Sequence, residues 1–219
     1  MISHQYKCIF MHIPKCAGTS VEFAFEHYPK GMRAGMQDHR PIREIEQPTN
    51  YFRLLDSNEG RDILKNRLFR PARLIKNKGT KIWNPNNFNT VSRYQYESYF
   101  KFAVVRNPWD RAVSWYKNVM SDLGHQTHLQ ISNDITFSEF LYKFIGEGPL
   151  RSQLYWLRNV DGEIPLDFIS RFENLHADMN FVFQSLGSDS VKLPHKLASK
   201  NLLEYQDYYD DKLVEMVGD

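Results

Sequence analysis

Cysteine is scarce in this chain: 219 residues hold two, Cys8 and Cys16. Thiols so few and so close together exclude the small disulfide-stapled scaffolds. No apolar run approaches the roughly 18 residues that a membrane-crossing helix needs. The opening residues, Met-Ile-Ser-His-Gln-Tyr-Lys, lack the apolar core of a signal peptide. No Asn-x-Ser/Thr acceptor occurs, which argues weakly against a secreted history. Repeats and low-complexity segments are absent as well. The expectation is a cytoplasmic protein, or a soluble form separated from an anchor. Net charge is small too, at +2, and says nothing about partners by itself. Hydrophobic residues at 42% and charged residues at 25% are ordinary values, and the length suits one domain over 1–219 with a sizeable core.

The small net charge hides segregation. Arg61, Lys65, Arg67, Arg70, Arg73, Lys76, Lys78 and Lys81 face a single acid, Asp62, across 61–81. With +2 for the whole chain, the remainder carries −5. A helix from Arg61 to about Phe69 is expected, with Ile63, Leu64 and Leu68 inward and Pro71 breaking or restarting it. Such a run is usually a solvated helical face. The sharper reading is a groove for an anionic acceptor or for a nucleotide.

One stretch organises the rest. Lys7 to His12 is mostly apolar with β-formers, the pattern of a buried strand. Pro14 ends it, and Gly18 lets the backbone approach a ligand. Thr19 or Ser20 is placed to cap a helix carrying Val21, Phe23, Ala24 and Phe25. A helix N-terminus offers free N–H groups and a positive dipole end, and Lys15 adds a full charge beside it. The first reading is therefore a phosphate or sulfate cradle. The common nucleotide cradle G-x-x-x-x-G-K-[ST] is absent, because Lys15 precedes Gly18 by three residues. Cys16 near a helix start also suits a phosphatase loop. That loop needs Arg six residues after the Cys, where this chain has Glu22, which repels phosphate.

A second strand–turn–helix unit follows. Phe100–Val105 is an apolar strand that runs into Arg106-Asn107-Pro108, with Asn107 as helix cap and Pro108 as first helical residue. The helix is expected to reach about Met120, packing through Trp109, Ala112, Val113, Tyr116 and Val119. Arg106 falls at a strand's carboxyl end, where open α/β sheets place ligand groups, and its planar fork suits a phosphate. Ser114 lies two helical turns on. Arg111 is expected in an ion pair with Asp110 or another acid.

His12-Ile-Pro-Lys-Cys-Ala-Gly-Thr-Ser20 resembles, at every position, the 5′-phosphosulfate loop of the sulfotransferases that use 3′-phosphoadenosine 5′-phosphosulfate (PAPS), in the branch with H-I-P-K-[TC]-x-G-T-S. Val105 to Tyr116 is similar to the same family's 3′-phosphate motif, V-R-N-P-x-x-R-x-x-S-x-Y. The two motifs come in the family's order, about ninety residues apart. The resemblance implies an α/β, three-layer, P-loop-like fold with a central parallel sheet flanked by helices. It implies PAPS as co-substrate, no metal, and a hydroxyl acceptor, a carbohydrate or small metabolite, with an anionic one among the options. Lys15, Cys16, Ala17, Gly18, Thr19 and Ser20 take the donor's 5′-phosphosulfate end in this reading, and Arg106 and Ser114 take the 3′-phosphate.

Transfer to a hydroxyl needs a general base, and His works near neutral pH. The branch places a His some twenty residues after the loop, which points to His39, with Glu22 and His12 as fallbacks and a solvated loop histidine as the plain alternative. Leu193 to Lys200 is similar to a family loop that closes over the nucleotide, which makes Ser199 and Lys200 donor-contact candidates, although Leu197 stands where Asn is usual. Gln153 falls where the family has a Gln lining the site. Asp167 to Leu175 resembles a further family segment, with Ser170 where Gly is usual, and reads as a third strand followed by a helix to Leu186 that Gly187 ends. Thr136-x-x-Glu139 reads as a capping box, 121–134 as loop, and 204–217 as one amphipathic helix. His125 and His128 lack a third ligand, so no metal site is expected there. Residues 47–95 read as a basic insertion outside the resemblance. Two alternatives remain: an atypical nucleotide-dependent kinase, and a non-catalytic binder of acidic polymers through 61–81.

Overall fold

The fold rests on a computed structural model that describes residues 1–29, 36–46, 51–56, 58–76, 78, 83–188, 193–194 and 204–218. Its centre is a four-stranded sheet in the order β1 (Ile2–Ser3), β2 (Cys8–Met11), β3 (Phe100–Val105), β4 (Phe168–Arg171). The pairs β2–β3 and β3–β4 are parallel, while β1 adds to the edge antiparallel. This is the expected α/β architecture with a mostly parallel sheet; the antiparallel edge strand is an addition to it. Cys8-Ile-Phe-Met is buried at every position, as a strand covered on both faces must be.

Phe10 pairs with Phe102 in register, and their rings lie 5.1 Å apart. α1 (Gly18–Ala24) brings Val21 into the same core, and Phe25 just beyond it packs on Phe102. α9 (Leu175–Ser185), which follows β4, adds Met179, Val182 and Phe183. A second core forms where α5 (Pro108–Met120) meets α7 (Phe137–Phe144) and α10 (Asp211–Gly218), through Ala112, Val113, Phe140, Leu141 and Leu213. Between β2 and β3 lie α2 (Ile42–Ile45), α3 (Asn58–Lys76) and α4 (Arg93–Ser98). α6 (Leu123–Leu129) and α8 (Leu154–Leu157) complete the set described.

Local chemistry explains most boundaries. Asn107 accepts from the Trp109 and Asp110 amides and Pro108 opens α5, as the sequence predicts. Both halves of the Thr136/Glu139 capping box form. Gly187, at φ 62°, ends α9.

Three expectations are corrected. α3 runs through Pro71 to Lys76 instead of breaking there, and Leu68 is 75% exposed rather than inward. Residues 121–134 contain α6 because Asp122 caps the Gly124 and His125 amides. Residues 204–217 divide into a 3₁₀ turn, Tyr205–Tyr208, and α10; Asp210 caps the second piece through the Leu213 amide.

Because β2 and β3 are parallel neighbours, the turns that follow them leave the same edge of the sheet. That register is held by Phe102 against Phe10, Phe25 and Phe100. Phe102→Ala is expected to cost about 3–5 kcal/mol in equilibrium denaturant unfolding; a loss below about 1 kcal/mol would show that the two turns are held together some other way.

Candidate active site

The loop after β2 is folded tightly. Lys15 and Ala17 both adopt the left-handed conformation, φ 67° and 59°, which costs a non-glycine residue energy. Ala17, not Thr19 or Ser20, occupies the cap position of α1, and no side chain caps the helix. The Ser20 and Val21 amides turn back to the Ala17 carbonyl. The amides of Ala17, Gly18 and Thr19 have no partner among the described residues. Three N–H groups therefore remain for an anion at the positive end of the helix. A Cβ at Gly18 would lie 1.9 Å from the His12 ring, so close packing of His12 by itself requires glycine there.

His12 is buried beneath the loop. Its Nδ1 lies 2.8 Å from Glu22 Oε1, and Tyr28 donates to Glu22 Oε2 at 2.5 Å. Burial pushes the Glu22 carboxyl up, but the adjacent His12 outweighs it and holds the group at about 2. Glu22 is wholly buried and satisfied by these contacts, and His12 is buried too, so neither reaches an acceptor as a fallback base. Cys16 is buried with its Sγ near the Pro14 carbonyl and Gln153, and burial pushes its thiol up to about 12. It is a packed thiol and not the nucleophile of a phosphatase loop.

The second turn lies directly against the first. Arg106 donates from Nη1 to the Lys15 carbonyl at 3.0 Å and from Nε to Asp110 at 2.7 Å, while its guanidinium covers the Phe172 ring at 4.0 Å. Lys15 Nζ donates to Asn118 Oδ1 at 2.9 Å. Asp110, Ser114 and Asn118 recur every four residues and so share one face of α5. Lys15 meets the far end of that face with its ammonium, while its carbonyl meets Arg106, which pairs with Asp110 at the near end; half-buried Ser114 lies between Asp110 and Asn118 along the helix. Burial and then the Arg106 charge lower the Lys15 ammonium to about 8.

Gln153 fastens this corner. Its side-chain amide receives the Arg106 N–H at 3.0 Å and donates to the Arg106 carbonyl at 2.7 Å. Arg111 is not in the expected ion pair. It donates to the Pro149 and Arg151 carbonyls, because Asp110 faces Arg106 on the other side of the helix.

His39 is half-buried at the opposite side of the loop. Its Nδ1 is 2.9 Å from the His12 carbonyl and its Nε2 2.8 Å from the Gln37 amide, whose other end is 2.6 Å from the Thr19 hydroxyl. Burial and the neighbouring His12 lower His39 to about 4, so it is neutral at ordinary pH. The carbonyl at Nδ1 demands a proton there, which leaves Nε2 as the lone-pair nitrogen. The Gln37 amide, whose N and O occupy equivalent positions, must then turn its N–H to Nε2 and accept from Thr19 with its oxygen. Ser199 and Lys200 lie outside the described residues.

The structure thus gathers Lys15 to Ser20, Arg106, Ser114 and His39 around one loop. Gln37, Asp110, Asn118 and Phe172 join them unforeseen. Asp110 and Asn118 carry a sequence signal, their four-residue spacing from Ser114; Gln37 and Phe172 carry none. The first three groups under the loop generate a prediction. The folded Glu22 carboxyl ionises below its unfolded counterpart, so its stabilisation is complete above about pH 4.5 and is lost as pH falls toward about 2. Glu22→Gln should remove a stability term of order 3 kcal/mol across that window. Unfolding free energies whose pH dependence is identical in the variant and the parent would contradict the buried pair.

The model of the Sulfotransferase family matches residues 1–215. Carbohydrate sulfotransferase 14 of Danio rerio is 28% identical over 141 residues, which is 52% of this chain and 38% of that protein. The Homo sapiens protein of that name is 28% identical over 112 residues, 42% of this chain and 30% of its own length. The chain therefore matches less than two-fifths of the curated relatives' length. No solved structure matches it. With the family model spanning nearly the whole chain and both anion motifs meeting at one sheet edge, the chain belongs to the sulfotransferase family.

Proposed function

We propose that the protein transfers a sulfuryl group from PAPS to a hydroxyl of a carbohydrate acceptor. One observation carries the reading: the Arg106 guanidinium touches the Lys15 carbonyl, so two cationic anion sites share one corner. A nucleotide with phosphate groups at both its 3′ and 5′ positions matches that pair. The residues fit such a donor, since three amides at the start of α1 lack partners among the described residues and Arg106 bonds to the Lys15 carbonyl in the same loop. The donor supplies an activated sulfuryl group. The names of the related carbohydrate sulfotransferases support the acceptor class.

In this reading the amides of Ala17, Gly18 and Thr19 hold the 5′ end, with Cys16 and Ser20 shaping the turn. Lys15 leaves Asn118 and sets its ammonium against the charge that develops on the leaving phosphate. Arg106 and Ser114 hold the 3′-phosphate, with Ser199 and Lys200 as further donor contacts. His39 takes the acceptor's proton on Nε2 once the hydroxyl displaces the Gln37 amide. Most of the rate gain in such a transfer comes from positioning and a preorganised positive field, which Lys15, the helix amides and Arg106 supply.

Lys15→Ala should abolish transfer from labelled PAPS in a protein that still unfolds cooperatively; retained turnover removes its role. Parent affinity for adenosine 3′,5′-bisphosphate should fall as pH rises through about 8, where the free Lys15 ammonium loses its proton. An affinity flat from pH 7 to 9 would place the charge elsewhere. Arg106→Ala should bind adenosine 3′,5′-bisphosphate roughly tenfold or more weakly, since it removes a charge-assisted contact. Adenosine 5′-monophosphate should lose much less affinity, the part that comes from the lost support of the Lys15 carbonyl. Equal losses for both nucleotides would contradict assignment of Arg106 to the 3′-phosphate.

A further inference from the structure

The side chain of Gln37 stands between the anion loop and the proposed base. Its amide lies 2.6 Å from the Thr19 hydroxyl at one end and 2.8 Å from His39 Nε2 at the other. The direction of both bonds is fixed from the far end of the run. The His12 carbonyl can only accept, so His39 Nδ1 carries the proton. Nε2 then accepts from the Gln37 N–H, and the Gln37 carbonyl accepts from the Thr19 O–H. All donors therefore point one way: Thr19 to Gln37, Gln37 to His39, His39 to His12. In such a run each bond polarises the next, so loss of the first weakens the second.

The backbone that carries Gln37 and His39 is pinned between them. Asp38 is fully buried, and its amide donates to Glu22 Oε1 at 3.3 Å. Its carboxylate accepts from Nε and Nη2 of Arg40 and from Nη2 of Arg70, a residue of α3. The basic helix thus helps to hold the segment on which His39 sits. Gln37 itself is half-buried, and its amide is held by the bonds to Thr19 and His39. Backbone and imidazole stay in place while this one side chain turns.

A hydroxyl has a single proton to donate. Thr19 also carries one of the three amides at the start of α1 that lack partners among the described residues. An oxyanion on those amides therefore competes with Gln37 for the Thr19 proton. The charged acceptor prevails over the neutral amide, because charge-assisted hydrogen bonds are roughly twice as strong.

We propose that Gln37 is a positioning residue that masks His39 Nε2 until an oxyanion at the donor's 5′ end takes the Thr19 hydroxyl and releases it. Donor and base take their names from the transfer reading, on which the proposal rests, but the release needs neither turnover nor acceptor. Its consequence for the reaction is an order of events. The lone pair that receives the acceptor's proton becomes available only after the donor is seated, so an acceptor that arrives first meets no base.

The test is the rate at which diethyl pyrocarbonate modifies His39 in the full chain, read by peptide mass mapping. The reagent acylates a neutral imidazole through a ring lone pair, so the rate reports whether Nε2 is masked. Saturating adenosine 3′,5′-bisphosphate should raise the parent rate roughly tenfold, the worth of one hydrogen bond. Gln37→Ala should react at the raised rate without nucleotide and gain nothing from it. By linkage the nucleotide should also bind Gln37→Ala more tightly than the parent, a gain that a merely structural contact would not give. A parent rate that the nucleotide leaves unchanged or lowers, or a Gln37→Ala rate that it still raises, overturns the proposal. Release without sulfuryl transfer from labelled PAPS would support the mask and count against the transfer reading. Transfer by a parent whose His39 rate ignores the nucleotide would overturn the mask and leave that reading standing.

Discussion

The bond from the Arg106 guanidinium to the Lys15 carbonyl is the contact on which the site depends. It joins the turns after two parallel strands, which the sequence separates by some ninety residues. Neither turn alone distinguishes a nucleotide from any other anion, because a helix start with a nearby cation binds phosphate, sulfate or carboxylate. Joined, they define a spacing between two charged groups, and in the proposed reading that spacing selects a doubly phosphorylated ligand. Parallel pairing of β2 with β3 is what brings the turns to one edge. Gln153 then fixes the Arg106 peptide by two hydrogen bonds, so the corner is held by main chain as well as by side chain.

The loop's left-handed residues are supported from beneath. Lys15 and Ala17 would not hold positive φ in an isolated peptide at no cost. His12, packed against Gly18 and bonded to the buried Glu22, fills the space under the turn and resists its relaxation. The same His12 offers its carbonyl to His39, which fixes the tautomer of the proposed base. One buried histidine thus serves both the shape of the loop and the orientation of the proposed proton acceptor. A residue that reads in the sequence as the end of a strand is, in the fold, the support of the whole cradle.

How much of this was legible follows from range. Local signals were read well: the β3 run, the Asn107–Pro108 cap and the Thr136/Glu139 box depend on neighbours within four residues. The anion motifs were legible because each is a contiguous stretch whose spacing encodes a turn. Partners across the fold were not. Nothing near Asn118 announces that Lys15 reaches it, and nothing near Gln37 announces that it bridges Thr19 and His39. The partners of Arg111 are hidden from its neighbours in the same way, since the carbonyls at 149 and 151 come from a distant turn. Pro71 misled in the other direction, because a helix tolerates one missing N–H when enough of its face is packed, as α3 is through Ile63 and Arg67.

The most direct measurement of the central claim is a phosphorus NMR titration of adenosine 3′,5′-bisphosphate with the full chain. The account predicts that the 3′ and 5′ resonances both shift and report one shared dissociation constant. A titration in which only one resonance moves, or in which the two follow different affinities, would show that the turns do not grip one nucleotide and would contradict it.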